Sequence, residues 1–143
     1  MAETHEYRTA YADFLQSKEW DYFATVTCRK PRTDTLAFIR DYTSIAETAL
    51  TGQMRGFVAV EPHQTGMLHI HGLLAYEEYQ SFEGRVLHPD ADVLQSKFDV
   101  VFGRSRVSNI NSKKDVAAYC SKYVMKTGRH SGRAFEYDFV GTW

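Results

Sequence analysis

Residues Phe57–Leu74 read FVAVEPHQTGMLHIHGLL. Phe57-Val58-Ala59-Val60 has the β-branched and aromatic character of a strand, and Leu68 to Leu74 reads as its return. Pro62, Gln64, Thr65 and Gly66 supply the chemistry of a turn between them. A hairpin folded about Thr65 sets Glu61 opposite His69 and Ala59 opposite His71. Side chains alternate across a strand, so Glu61, His69 and His71 then share one face. Two imidazoles and a carboxylate that converge in this way are a ligand set for a divalent metal. His63 has the same parity as Glu61, but Pro62 and the turn interrupt the strand there, so Glu61 is preferred as third ligand.

Outward from the hairpin, strands and helices alternate. Ala10 to Trp20 carries Tyr11, Phe14 and Leu15 at helical spacing, and Tyr22 to Thr27 reads as the first strand. A basic loop, Arg29-Lys30-Pro31-Arg32, follows. Asp34 or Thr35 can cap a helix to about Leu50, with Leu36, Ile39, Tyr42, Thr43, Ala46 and Leu50 on one face and Gly52 as the stop. After the hairpin, a polar loop over Glu77 to Pro89 leads to a helix from about Asp90 to Phe102, closed by Gly103. Its apolar set is Val93, Leu94, Phe98, Val101 and Phe102. Arg104 to Ile110 reads as a strand and Lys113 to Lys126 as the last helix. Ala134 to Trp143 is a final strand or a docked tail.

The resulting core is βαββαβ. It predicts an α+β, ferredoxin-like (split βαβ) antiparallel sheet with two helices on one face and the opposite face free for a site. At 143 residues the chain is expected to form a single domain, 1–143, with its core at about 22–126. No apolar run approaches a membrane span and the first residues lack a signal-peptide core, so an intracellular protein with no membrane partner is expected. Cys28 and Cys120 lack metal-type spacing and read as free thiols of a reducing compartment. Net charge is only −1, but it is unevenly spread. Residues 1–96 hold 8 Lys/Arg against 14 Asp/Glu, and residues 97–143 hold 9 against 4. The basic half can serve an anionic ligand.

The last helix carries a second constellation. Tyr119 and Tyr123 are four apart and project from one face, with Lys122 and Lys126 three residues beyond each. Such a repeat also suits an amphipathic helix packed on a sheet with its ammoniums snorkelling. Beside a metal-bound phosphodiester, however, a tyrosine can act as a nucleophile and a lysine can steady the phosphate.

Taken in order, Phe23-Ala24-Thr25-Val26-Thr27, His69-Ile70-His71 with Glu61 upstream, and Asp115-Val116-Ala117-Ala118-Tyr119-Cys120-Ser121-Lys122 resemble the three motifs of HUH endonucleases of the rolling-circle replication initiator (Rep) type. Tyr123-Val124-Met125-Lys126 resembles the paired-tyrosine version of that motif. The resemblance implies a nickase and strand-transferase for single-stranded or hairpin origin DNA, acting through a 5′-phosphotyrosine with Mg²⁺ or Mn²⁺. It implies Glu61, His69 and His71 as metal ligands. Tyr119 and Tyr123 are the implied catalytic tyrosines, Tyr119 ahead of Tyr123, with Lys122 and Lys126 beside them. Arg29, Lys30, Arg32, Arg104, Arg106, Lys113 and Lys114 are candidate DNA contacts. No GxxxxGK[ST] loop is present, so a helicase would come from a further domain of a longer initiator or from the host. Two other members of the superfamily, a single-strand transposase and a relaxase, share these motifs. Outside it, a non-catalytic nucleic-acid-binding module of ferredoxin-like fold is the alternative, and it would place exposed aromatics on the central strands.

Overall fold

A computed structural model describes residues 2–29, 34–49, 53–62, 67–76, 91–125 and 135–143, without the side chains of 2–6. Lys30, Arg32, His63 and Lys126 lie outside the described residues, as do the residues of the expected turn about Thr65 and of the expected polar loop over Glu77 to Pro89. The elements are α1 (Ala2–Gln16), β1 (Tyr22–Cys28), α2 (Thr35–Thr48), β2 (Met54–Pro62), β3 (Leu68–Tyr76), α3 (Ala91–Phe102), β4 (Gly103–Asn109), α4 (Lys113–Tyr119) and β5 (Glu136–Gly141). A π-helical turn, Cys120–Val124, continues α4.

The sheet has the order β4-β1-β3-β2-β5, and every neighbouring pair is antiparallel. Its first four strands have the ferredoxin-like arrangement expected from the element order, and β5 extends the edge beyond β2. Glu61 pairs with His69 and Ala59 with His71, the register expected of a hairpin centred on Thr65.

Alternation divides the sheet into two unlike faces. Tyr22, Ala24, Val26, Val58, Val60, Ile70 and Leu74 turn to one face, where Phe38, Tyr42, Leu94, Phe98 and Phe102 of α2 and α3 bury them. Each fully buried side chain of this size contributes about 1.5–3 kcal/mol. Tyr42 comes closest to the sheet: its hydroxyl donates to the Ala24 carbonyl at 2.9 Å. Gly72, the partner of Ala24 across β1 and β3, makes this approach possible, because a Cβ there would collide with the Tyr42 hydroxyl.

On the second face the pairing sets residues in rows. Ser108, Phe23, Leu73, Phe57 and Phe139 form an apolar row. Arg106, Thr25, His71, Ala59 and Tyr137 form the next, and Arg104, Thr27, His69 and Glu61 the third. α1 and α4 pack on this face through Ala12, Leu15, Val116, Tyr119, Cys120 and Val124, against Phe57 and Leu73. The change from apolar to polar rows leaves the polar end of the face for a site, opposite the two crossover helices.

Several expected boundaries and faces are corrected. α1 runs from Ala2 to Gln16 rather than from Ala10 to Trp20; the Trp20 indole instead donates to the Leu15 carbonyl at the helix end. In α2, Asp34 is the cap, accepting from the Ala37 amide at 3.0 Å. Phe38 takes the buried position expected of Leu36, which is 74% exposed in the first turn. In α3, Leu94, Phe98 and Phe102 are buried while Val93 and Val101 face outward. β2 runs from Met54 to Pro62 and so includes Glu61, longer than the expected Phe57–Val60.

Burial holds the phenols of Tyr42, Tyr76 and Tyr119 well above their usual range. Below pH about 10, the phenol value in an unfolded chain, both states are protonated and this stability is fully present. Above it the unfolded chain ionises first, and each phenol removes up to about 1.4 kcal/mol per pH unit. The urea midpoint is therefore expected to fall steeply between about pH 10 and 12. Phenolate absorbance of these tyrosines should rise only with unfolding.

Candidate metal centre and tyrosine helix

The ligand atoms of Glu61, His69 and His71 all lie within 4.8 Å of one another. They come from the facing strands β2 and β3, so two ladders of backbone hydrogen bonds fix their spacing. Glu61 and His71 are buried and His69 is half-buried. The His71 Nε2 is 2.9 Å from Glu61 Oε1. This group can hold a metal ion: its donor set of two imidazoles and one carboxylate suits a divalent cation, and three ligands leave positions open for a substrate oxygen.

The surroundings of the two imidazoles differ. Thr27 Oγ1 lies 3.4 Å from His69 Nδ1, which fits an outer partner that turns Nε2 toward a cation. The Nδ1 of His71 is buried and meets no hydrogen-bond partner among the described residues. Its ring is held by packing instead. Tyr123 stacks on it with ring centroids 4.0 Å apart and planes 15° apart. Phe135 approaches from another side, at 6.5 Å.

The tyrosine helix thus meets the triad directly. Tyr119 is buried, stacks on Phe23 at 5.9 Å, and donates its hydroxyl to the backbone carbonyl of His71 at 2.5 Å. Burial is the main cause of its raised pKa, with the neighbouring phenols adding to it. Tyr123 is half-buried, 5.1 Å from Tyr119 between ring centroids. Lys122 is exposed, and its ammonium lies 5.2 Å from the Tyr123 ring centre.

The α-helix expected to continue to Lys126 gives way after Tyr119 to the π-turn, marked by the Met125 amide donating to the Cys120 carbonyl at 2.9 Å. The Tyr137 hydroxyl on β5 donates to the carbonyls of Tyr123 and Val124, at 3.0 and 3.1 Å. These bonds tie the turn to the sheet. Within the helix, Cys120 is a buried thiol whose pKa burial pushes up to about 11, which does not suit a nucleophile.

Among the candidate DNA contacts, Arg104 and Arg106 are exposed and share the sheet face of the triad, in the rows of His69 and His71. Lys113 and Lys114 are exposed at the start of α4. Arg29 is exposed after β1, and its side chain lies close against Gly103. In the sequence Phe23 and Thr27 figure only as members of the first-strand motif, without a role of their own, and Tyr137 and Phe135 have none. For Thr27 a signal exists, since its parity on β1 matches that of His69 once the strands are paired.

Comparison with family models, with curated proteins and with solved structures finds no match to this chain. Among the described residues, no helix is long and apolar enough to cross a membrane.

Proposed function

We propose that this chain is a metal-dependent nickase and strand-transferase for single-stranded or hairpin DNA, an HUH-type endonuclease that initiates rolling-circle replication. The observation that carries the reading is the stack of Tyr123 on His71: it joins the tyrosine helix to a three-ligand metal group. Two motifs far apart in the chain converge on one face, as that chemistry requires. A bound Mn²⁺ or Mg²⁺ would supply Lewis-acid polarisation of the scissile phosphate oxygens. Glu61, His69 and His71 would hold it.

In this reading a tyrosine oxygen attacks phosphorus, its proton passes to solvent, and the bond to the 3′ oxygen breaks. The 3′ oxygen leaves with a proton as a free hydroxyl, and the 5′ phosphate stays on the tyrosine. In the joining step a 3′ hydroxyl attacks that phosphotyrosine and gives its proton to solvent, and the tyrosine oxygen leaves and takes up a proton to restore the phenol. Lys122, beside Tyr123, steadies the phosphate, and Arg104 and Arg106, both on β4, hold the strand at that edge of the sheet. Glu61 as third ligand favours the initiator over a relaxase, where three histidines are usual. The recognition-platform alternative needs a row of exposed aromatics on the central strands, whereas Phe57 is buried under the helices and Phe23 is half-buried against Tyr119.

The test is incubation with labelled single-stranded origin oligonucleotides, with Mn²⁺ or with EDTA. A covalent adduct that survives denaturing gels and requires the metal is expected. An absence of adduct on every candidate origin, or an adduct formed equally in EDTA, would overturn the reading.

A further inference from the structure

Between β4 and the tyrosine helix lies a cleft of ≈ 280 Å³. Phe23, Ala118, Tyr119 and Tyr123 give it apolar and aromatic walls; Thr25, Ser108 and Asp115 give it polar ones; Lys122 also lines it. Its volume falls near the small end of ligand sites, about 300 Å³. Thr25 is the cross-strand neighbour of His71, so the cleft opens one strand away, about 4.8 Å, from a metal ligand. Arg106, exposed, neighbours Thr25 on the other side.

We infer that this cleft receives one unpaired base of the nucleic-acid strand whose phosphate lies at the triad, and that Asp115 selects its type. The inference rests on the nuclease reading above and adds a base-binding site to it. A mixed wall of this kind suits a flat heterocycle: the ring packs on Phe23 and the Ala118 methyl while hydroxyls meet its edge. The neighbouring cations suit the phosphates on either side of that base.

The selection follows from the chemistry of a carboxylate. Asp115 only accepts hydrogen bonds. One oxygen already receives the Asn111 amide at 3.0 Å, which anchors the carboxylate at the head of α4 and leaves acceptor capacity. Adenine, cytosine and guanine each present an exocyclic amine to such an acceptor, whereas thymine has none and offers only its ring N3–H. The pocket therefore favours an amine-bearing base and disfavours thymine.

The experiment measures binding of fluorescent dA, dC and dT 12-mers to the whole chain in EDTA by anisotropy. The wild type is expected to bind dA and dC about tenfold more tightly than dT, the worth of one good edge contact. Asp115→Asn keeps an acceptor for the Asn111 amide but adds an amide donor, so the preference should collapse. Ser108→Ile and Ala118→Leu fill the cleft from exposed positions, without adding an aromatic face. Both should bring dA and dC binding down to the dT level while leaving Mn²⁺ binding unchanged. A wild type that binds all three oligonucleotides equally, an unchanged ranking in Asp115→Asn, or full dA binding by both filled variants would overturn the pocket. Those outcomes leave the metal-dependent adduct intact, whereas failure of the nuclease reading removes the adduct itself.

Discussion

Tyr123→Phe is expected to abolish the protein–DNA adduct, by about 10³-fold or more, while Tyr119→Phe keeps it and loses stability. The motif favours Tyr119, through its match of Asp115 and Lys122, but the geometry favours Tyr123. The Tyr119 hydroxyl is spent on the His71 carbonyl inside the packed face, and burial keeps that phenol neutral. A nucleophile must reach phosphorus and shed its proton. Tyr123 is half-buried beside Lys122 and already lies against His71, one of the three residues that could hold a metal. Phenylalanine at 123 retains the ring that stacks on His71, so Mn²⁺ binding should survive and separate loss of the oxygen from loss of the site. Phenylalanine at 119 removes one buried hydrogen bond, for about 1–2 kcal/mol in urea unfolding. Residual activity should stay within an order of magnitude, because Tyr119 acts by holding the β3 backbone at His71. An adduct in Tyr123→Phe together with none in a folded, Mn²⁺-binding Tyr119→Phe would reverse the assignment.

The hairpin was legible because its information is local. Turn residues at 62–66 and two flanking strands define a centre, and the centre defines which residues face Glu61. A one-residue slip would move His69 and His71 to the other face, so register and ligand set stand or fall together. The tyrosine pair was legible as a spacing, but its division of labour was not. Whether Tyr119 or Tyr123 is buried depends on Phe23, on the carbonyl of His71 and on Tyr137 of β5, all distant in sequence. The π-turn has no local signal of its own and accompanies those contacts. Leu36 misled for a related reason: it shares a helical period with Ile39, Tyr42 and Ala46, yet the sheet admits Phe38, which packs on Phe102 at 5.3 Å. Periodicity selects a stripe about a hundred degrees wide, and tertiary packing chooses its edge. Thr27 stands in the first-strand motif without a role, since it becomes a neighbour of His69 only once β1 and β3 are paired.

His69→Ala is expected to remove Mn²⁺ binding with almost no cost to the fold. His69 is the half-buried member of the triad, so its loss should leave urea stability within about 0.5 kcal/mol. His71 would be a poorer choice, because its ring is buried under Tyr123 and truncation there opens a cavity. In the wild type, Mn²⁺ at 100 times its Kd should stabilise the fold by about 2.7 kcal/mol, raising Tm by roughly 5–10 °C in a domain of this size. Glu61→Gln replaces an anionic ligand by a neutral amide of the same shape and should lose most of that shift as well. Thr27→Val tests the outer partner: it keeps a β-branched side chain on β1 and removes the oxygen next to His69 Nδ1. A weakening of about 10–100-fold is expected there, seen as a Tm response displaced to higher Mn²⁺ rather than abolished. Adduct formation should follow the same order, absent in His69→Ala and restored by excess Mn²⁺ in Thr27→Val. A wild-type Mn²⁺ response in His69→Ala would sink the three-ligand site, because no other residue on β3 shares its place in the row of Glu61 and Thr27.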